Sequence, residues 1–404
     1  MRILVVSNIY PPVVRGGYEV ECSGVVDRLR ERHDVHVLTS TLEGPAPRPG
    51  VTATLPFLDH DLSGTLRAPA GAFAGGRETR RVLERVRPDL VWVWNGSCLP
   101  DTALGALAHA DVPLAFRVCE HWFADVLRAD RFGAHLRGGE DGPRDRLWGS
   151  AMRALNRHPR LRHDPDRRFR AAISWNSAAI RGMAPAPAAV DVAYETVLHS
   201  TSRKLPQLAA LPREPAATPT VLFLGRKDAM KGADVAVRAV ARLRDRHGVT
   251  ARLVLAGPDG VDGPAFATRV AAQEGVTDLV EDRGPLDADG VGAQLGAAHA
   301  LVVPSVWPEP YPLVSIEGAA ARVPLVASRA GGIPEFVHDD VEGLLFDAGD
   351  ADGCALALHR TLTDAQGTAR RVAAAAQAAE RHGWERYLDA SEAFVDDALA
   401  ALRG

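Results

Sequence analysis

Short apolar runs alternate with helical patterns along most of this chain. Ile3–Val6, Val35–Leu38, Leu90–Val93, Leu114–Val118 and Ala171–Ser174 are aliphatic, with little polar alternation. Strands buried on both faces read this way, since neither side meets water. Between them, Tyr18–Glu31, Arg77–Val86 and Asp101–Ala108 carry helical spacing. The alternation restarts with Val221–Leu224, Arg252–Ala256, Leu279–Glu281, Leu301–Val303 and Leu325–Ala327. Gly232–Arg246 puts Val235, Val237, Val240 and Leu243 broadly on one side of a helix. Strand–helix–strand alternation predicts βαβ units and parallel sheets, an α/β fold. Between the two blocks, Leu205–Pro219 has four prolines and no apolar period, which predicts a linker.

Two segments break the rhythm. Residues 120–170 form a long insertion between two strands of the first sheet, with twelve arginines against eight acidic residues. Leu147, Trp148, Ala151, Met152 and Leu155 share a helical face within it. Long loops at the edge of a sheet usually carry function, so the segment is expected to be an acceptor lid, with a solvated surface excursion and a membrane-surface helix as the alternatives. The second is the tail from Trp384. Trp384, Tyr387, Leu388, Phe394, Val395 and Ala398 form an apolar stripe, and nothing follows for it to cover. Such a helix must dock on a part that is already folded.

Composition narrows the class. A chain of 404 residues exceeds one ordinary core and predicts two domains. With 46% hydrophobic and 24% charged residues, it reads as soluble and globular. A net charge of -4 and few aromatics argue against a nucleic-acid partner. Abundant alanine, arginine, glycine and proline, with little lysine, point to a high-GC coding sequence, as in an actinobacterium. Cys22, Cys98, Cys119 and Cys354 are scattered, which predicts neither a disulfide framework nor a zinc site and fits a reducing cytoplasm. No apolar run approaches the roughly 20 residues that span a bilayer, and no signal peptide is apparent.

Chemistry concentrates where predicted strands end. After Ala300–Val303 comes Trp307-Pro308-Glu309-Pro310-Tyr311-Pro312-Leu313-Val314-Ser315-Ile316-Glu317, with two glutamates eight residues apart. Pro312 suits a first helical position, which would leave the N–H groups of Leu313 and Val314 facing an anion. Glu317, further along, could accept a pair of ribose hydroxyls, and Glu309 a sugar. Leu224-Gly225-Arg226-Lys227-Asp228-Ala229-Met230-Lys231-Gly232 is again a strand end, a glycine and a helix start. An arginine fork and a flexible ammonium suit a diphosphate. Tyr10-Pro11-Pro12-Val13-Val14-Arg15-Gly16-Gly17 follows the first strand, where paired glycines admit close approach of a ligand.

These motifs resemble those of retaining GT-B glycosyltransferases, in particular glycosyltransferase family 4. Glu309 to Glu317 is similar to the family's E-x7-E, with Pro312 where the family usually has glycine. Gly225-Arg226 with Lys231-Gly232 resembles its G-R-x4-K-G, and Ala330-Gly331-Gly332-Ile333-Pro334-Glu335 its G-G-x-P-E turn. The loop at Gly16 and Gly17 resembles Y-P-P-x-x-G-G with one extra residue, Arg15. The resemblance implies two Rossmann-like domains facing a cleft. The N-terminal, acceptor-binding domain would cover 1–204, a linker 205–218, and the nucleotide-sugar-binding domain 219–383. A last helix, 384–404, would return to the first domain. It implies sugar transfer with retention from a nucleotide-diphosphate sugar to a sugar, lipid-linked or small-molecule acceptor. The donor would meet Gly16, Gly17, Gly225, Arg226, Lys231, Gly257, Arg283, Pro285, Glu309, Tyr311, Pro312, Leu313, Val314 and Glu317. Arg226, Lys231 and Glu309 would also act in catalysis. In the first domain the candidates are Glu120 and His121, between which the residues do not choose, and Trp94, Asn95, Trp122 and Trp148 are expected on the acceptor side. No cofactor or metal is expected, since the phosphate site has its own cations. The expected place is the cytoplasm, or the inner face of the membrane as a peripheral protein. Two rival readings are a GT-B nucleotide-sugar epimerase and a non-catalytic nucleotide-sugar-binding subunit.

Overall fold

Two parallel sheets organise the chain, each with its own core. The structure is a computed structural model. It describes residues 1–42, 48–58, 67–127, 146, 149–150, 153–154, 156–157, 163–164 and 166–404. The insertion's apolar face, Trp148 included, lies outside the described residues. The N-terminal unit comprises Met1–Leu198 and Leu388–Gly404, and the C-terminal unit His199–Tyr387.

The N-terminal sheet holds β1 (Arg2–Ser7), β2 (Asp34–Ser40), β3 (Val51–Leu55), β4 (Leu90–Asn95), β5 (Leu114–Val118), β6 (Phe169–Trp175) and β7 (Val190–Val197). Their order is β3-β2-β1-β4-β5-β6-β7, parallel throughout. The chain runs outward from β1 and then returns to β4, so the direction of winding reverses between these two strands. Loops diverge there at the carboxyl ends, the usual ligand position of open α/β sheets. Two strands escape the apolar-run pattern. β3 is Val-Thr-Ala-Thr-Leu, and β7 interleaves Asp191, Tyr194 and Glu195. Both are edge strands with a wetter face, so they lack the continuous aliphatic signature of the centre.

The C-terminal sheet holds β8 (Thr220–Leu224), β9 (Arg252–Ala256), β10 (Val280–Asp282), β11 (Ala300–Val303), β12 (Leu325–Ser328) and β13 (Leu344–Phe346). Its order is β10-β9-β8-β11-β12-β13, again parallel, with the reversal between β8 and β11. β13 has three residues and sits at the edge, too short to read from periodicity. The helix Ala233–His247 buries Val235, Val237, Val240 and Leu243 in the core of this unit.

The stretch expected to be a linker is built into the C-terminal unit. Leu205–Ala209 forms a short helix, with Pro206 in its first turn where a missing N–H costs nothing. Leu205 and Leu208, one turn apart, are buried in that unit's core. The last helix, Trp384–Arg403, carries the chain back, and from Leu388 onward it belongs to the N-terminal unit. The Phe394 ring lies 5.2 Å from Trp92 and 6.0 Å from Tyr194. Arg28 bonds Asp389 at 2.5 Å and Glu392 at 3.1 Å. From Leu388 onward the apolar stripe thus packs within the N-terminal unit, with Phe394 against Trp92 and Tyr194 and with Ser391 buried. Among the described residues, no helix is long and apolar enough to cross a membrane.

Candidate active site

The best-built polar cluster stands at the β8/β11 reversal. The loop after β8 carries Arg226 to Lys231, and the loop after β11 carries Ser305 to Tyr311. The N–H groups of Val306 and Trp307 donate to the Met230 carbonyl at 2.9 and 3.1 Å, joining the two loops. Gly232 allows this approach. It has φ 72°, and a Cβ there would stand 1.9 Å from the Pro304 carbonyl oxygen. Two further glycines make a similar contact across strand ends. Gly225 donates to Ala256 and Gly257 to Gly284, and a Cβ on Gly257 would lie 2.0 Å from the Gly225 oxygen. Gly225 and Gly257 thus pack backbone on backbone, while Arg283 and Pro285 stand exposed beside them, with Arg283 paired to Glu281.

Each charged side chain in the loop has a specific partner. Lys231 Nζ bonds Glu309 Oε1 at 2.6 Å, and Ser305 Oγ donates to the same oxygen at 2.5 Å. Glu309 is buried, so this double contact offsets the cost of desolvating its charge. Arg226 is half-exposed and donates from Nε to Asp228 Oδ2 at 2.6 Å. Asp228 is fully buried, and its other oxygen accepts the Lys231 backbone N–H at 2.9 Å. With Nε engaged, the two terminal nitrogens of Arg226 remain as a fork. Lys227 is buried and bridges Asp282 at 2.7 Å and Asp259 at 3.0 Å, which ties the β8, β9 and β10 ends together. Glu317 accepts from Ser202 Oγ at 2.7 Å through Oε1. The Gly331–Gly332 turn supports Glu309 from behind. Gly332 donates to the Glu309 carbonyl at 2.7 Å, and a Cβ on Gly331 would stand 2.3 Å from the same oxygen.

The start of the helix Leu313–Ala320 differs from expectation. Pro312 is its cap rather than its first residue, with ψ 69°. The Leu313 N–H turns back onto the Tyr311 carbonyl at 3.1 Å, so it does not face outward. Val314 is the donor of the pair that this turn does not use. Tyr311, expected to touch the donor, is buried and gives its hydroxyl to His382 at 2.8 Å. In both cases the bend set by two prolines within three residues decides direction, and the motif spacing does not reveal it.

In the N-terminal unit the β1/β4 reversal brings the Gly16 loop and the β4 end together, with Asn8 donating to the Asn95 carbonyl at 2.9 Å. Gly16 and Gly17 are exposed, and Gly16 N–H is held by Glu19 Oε2 at 2.8 Å, closing the helix Gly17–Arg30. Glu120 ends the β5 loop. Desolvation, aided by the Glu19 charge, raises its pKa above the ordinary carboxylate value. His121 follows it at the start of a short 3-10 turn, His121–Asp125. Trp122 packs on Phe116 and Phe123 and closes over Gly96. Trp94, expected on the acceptor side, is fully buried, 5.1 Å from Trp92 and beneath the Arg117 guanidinium. Its place on the strand puts its ring in the core. Asn95 is buried as well, with its side chain capping the Ser97 N–H at 2.8 Å. Residues missed by sequence reasoning are Ser202, Ser305, Asp228, His199 and His382. Only Asp228 lay inside a motif. Ser202 is 115 positions from its partner Glu317, and no local pattern announces such a pair.

Comparison with known proteins places this geometry. Residues 218–364, within the C-terminal unit, match the family described as Glycosyl transferases group 1. A D-inositol 3-phosphate glycosyltransferase of Nocardiopsis dassonvillei is 34% identical over 181 residues, 43% of this chain and 42% of that protein. One from Salinispora arenicola is 37% identical over 191 residues, 45% of this chain and 42% of that protein. The chain thus spans less than half the length of these relatives. Among solved structures, a glycosyltransferase from Rickettsia africae superposes with TM-score 0.69 at 14% identity, covering 98% of both chains. HepE of Anabaena in complex with UDP-glucose gives TM-score 0.64 at 17% identity, covering 98% of this chain and all of that one. The fold is accordingly that of GT-B glycosyltransferases, with two Rossmann-like parallel-sheet domains.

Proposed function

We propose that this protein is a retaining glycosyltransferase that moves a sugar from a nucleotide-diphosphate sugar to an acceptor, without a metal ion. The observation that carries the reading is the shared oxygen of Glu309, held by Lys231 and Ser305 beside the Arg226 fork. Cleavage of a sugar–phosphate bond leaves growing negative charge on the diphosphate. Fixed cations aimed at that charge stabilise the transition state more than the ground state. Arg226 presents its fork, and Val314 its N–H at the positive end of a helix. Lys231 would exchange its contact with Glu309 for the phosphate, which frees the Glu309 carboxylate for sugar hydroxyls. Glu317 would take the ribose, with Ser202 fixing its rotamer. In the N-terminal unit, Glu120 and His121 are the residues proposed to meet sugar and acceptor. The four cysteines are free thiols, which suits the cytoplasm as the place of reaction.

HepE was solved with UDP-glucose, and this makes UDP the first nucleotide to try. The test is a thermal-shift comparison of UDP, GDP, ADP and dTDP, followed by incubation with the sugar form of whichever binds. A ligand at a hundred times its dissociation constant stabilises by about 2.7 kcal/mol. Slow hydrolysis of the matching nucleotide-sugar without added metal supports the reading. No shift with any nucleotide would remove it.

A further inference from the structure

A cluster of side chains that the proposed reaction does not use is built around Tyr311 and His382. Tyr311 lies two residues after Glu309 and immediately before Pro312. Its ring is stacked on His199, with centroids 4.6 Å apart and planes 11° from parallel. Its hydroxyl bonds His382 Nε2 at 2.8 Å. His382 Nδ1 meets the Ala378 carbonyl at 2.9 Å, and a carbonyl only accepts, so this nitrogen carries a proton. In neutral His382 the other nitrogen is therefore the acceptor, and the tyrosine is the donor. Burial lowers the pKa of His382, consistent with the neutral form. The His382 and Phe336 rings stand nearly perpendicular with centroids 5.2 Å apart, and the His382 carbonyl accepts from Thr201 Oγ1. His199 is fixed in turn by Glu335 at 3.0 Å.

The positions of these residues in the chain matter as much as their contacts. His199 is the first residue of the C-terminal unit, and His382 stands six residues before Leu388, where the N-terminal unit resumes. Both segments by which the chain enters and leaves the C-terminal unit are therefore fastened to one aromatic ring. In the chain Tyr311 lies between Glu309 and the helix that starts at Leu313. Gly332 grips the Glu309 carbonyl, Pro310 and Pro312 restrict the backbone, and Tyr311 anchors the loop by its side chain on two sides.

We infer that Tyr311 is a positioning residue for the proposed donor site: through His382 and His199 it fixes Glu309 relative to the Val314 N–H and couples this loop to both chain crossings. The functional part rests on the proposed glycosyltransferase reading, whereas the tie itself does not. Tyr311 touches no reacting atom, so its loss should blur geometry rather than abolish binding.

The test compares wild type, Tyr311→Phe, His382→Leu, His382→Gln and the Tyr311→Phe/His382→Leu double variant. The glutamine variant retains an acceptor for the tyrosine hydroxyl, and the leucine variant does not. In hydrogen exchange without ligand, Tyr311→Phe and His382→Leu should raise exchange together in peptides covering 309–314 and 380–387, with His382→Gln close to wild type. With the nucleotide-sugar found above, kcat should fall about five- to tenfold in Tyr311→Phe and in His382→Leu and no further in the double, while nucleotide affinity stays within about twofold. Non-additivity of this kind marks residues that act through each other. Unchanged exchange in both segments overturns the tie. Raised exchange with an intact kcat overturns the positioning role. Raised exchange in the variants of a protein that turns over no nucleotide-sugar upholds the tie and removes the proposed function instead.

Discussion

Arg226 and Lys231 are held in different ways, and the difference sets what their removal should do. Arg226 is oriented by the buried Asp228, whereas Lys231 compensates the buried Glu309. Either Arg226→Ala or Lys231→Ala should lower turnover by roughly 10²–10³-fold, the effect of losing one transition-state donor. Near-wild-type kinetics in both would refute leaving-group stabilisation. Lys231→Ala should in addition lower the melting temperature, because it leaves a buried carboxylate short of a partner. The two glutamates separate by ligand. Glu317→Ala should weaken the bare nucleotide by about tenfold or more, as expected for hydrogen bonds to a charged group. Glu309→Ala should spare the nucleotide and impair the nucleotide-sugar. Calorimetry with both ligands distinguishes them, and equal losses on the nucleotide would refute the division. His382 gives a pH signature. Its folded pKa lies below the ordinary 6.5, through burial first and then the charges of His199 and Arg381, against the Ala378 bond that raises it. Stability from a depressed base is present above the unfolded value and lost as pH falls through the folded one. Melting temperature should therefore drop more in wild type than in His382→Gln between about pH 7 and pH 5.

At the scale of elements, the site depends on strand ends that come closer than side chains permit. Gly232 and Gly257 show the closest approaches of a missing Cβ to a backbone carbonyl oxygen, 1.9 and 2.0 Å, with Gly331 next at 2.3 Å, and each has positive φ. Alanine at Gly232 should cost about 1–3 kcal/mol from conformation alone, and it should also push the β8 and β11 loops apart. Nucleotide binding should fall in step with the loss of stability. Alanine at Gly248 has the positive φ, 67°, but open space around it, and serves as the control. If both variants bind nucleotide alike, the close approach at Gly232 is not what builds the site.

Across the whole molecule, the last helix makes the N-terminal unit depend on residues far away in the chain. Phe394 is 2% exposed and lies against Trp92 and Tyr194. Phe394→Ala should cost about 3–5 kcal/mol, the range for truncating a buried phenylalanine. In urea, the transition reported by exchange of β4 and β7 amides should move to lower concentration, with β8 and β9 less affected. Movement of all four strands together would instead mark one cooperative unit.

Sequence determined the central strands, because residues buried on both faces must be apolar in an unbroken run. It also marked the strand ends where glycines and charges gather, which is where the proposed site lies. Gly225, Arg226, Lys231, Glu309 and Glu317 were singled out there, and the structure joins Lys231 to Glu309. Edge strands β3, β7 and β13 were not legible, as a half-wet face admits polar residues and a three-residue strand has no period. Tertiary structure alone decided direction and partnership. It turned Tyr311 away from solvent onto His382, buried Trp94, bent the Leu313 N–H back and paired Lys231 with Glu309. It brought Ser202 to Glu317 and Phe394 to Trp92. These contacts join residues far apart in the chain, and a local pattern carries no information about which distant side chain will complete a hydrogen bond or fill a space.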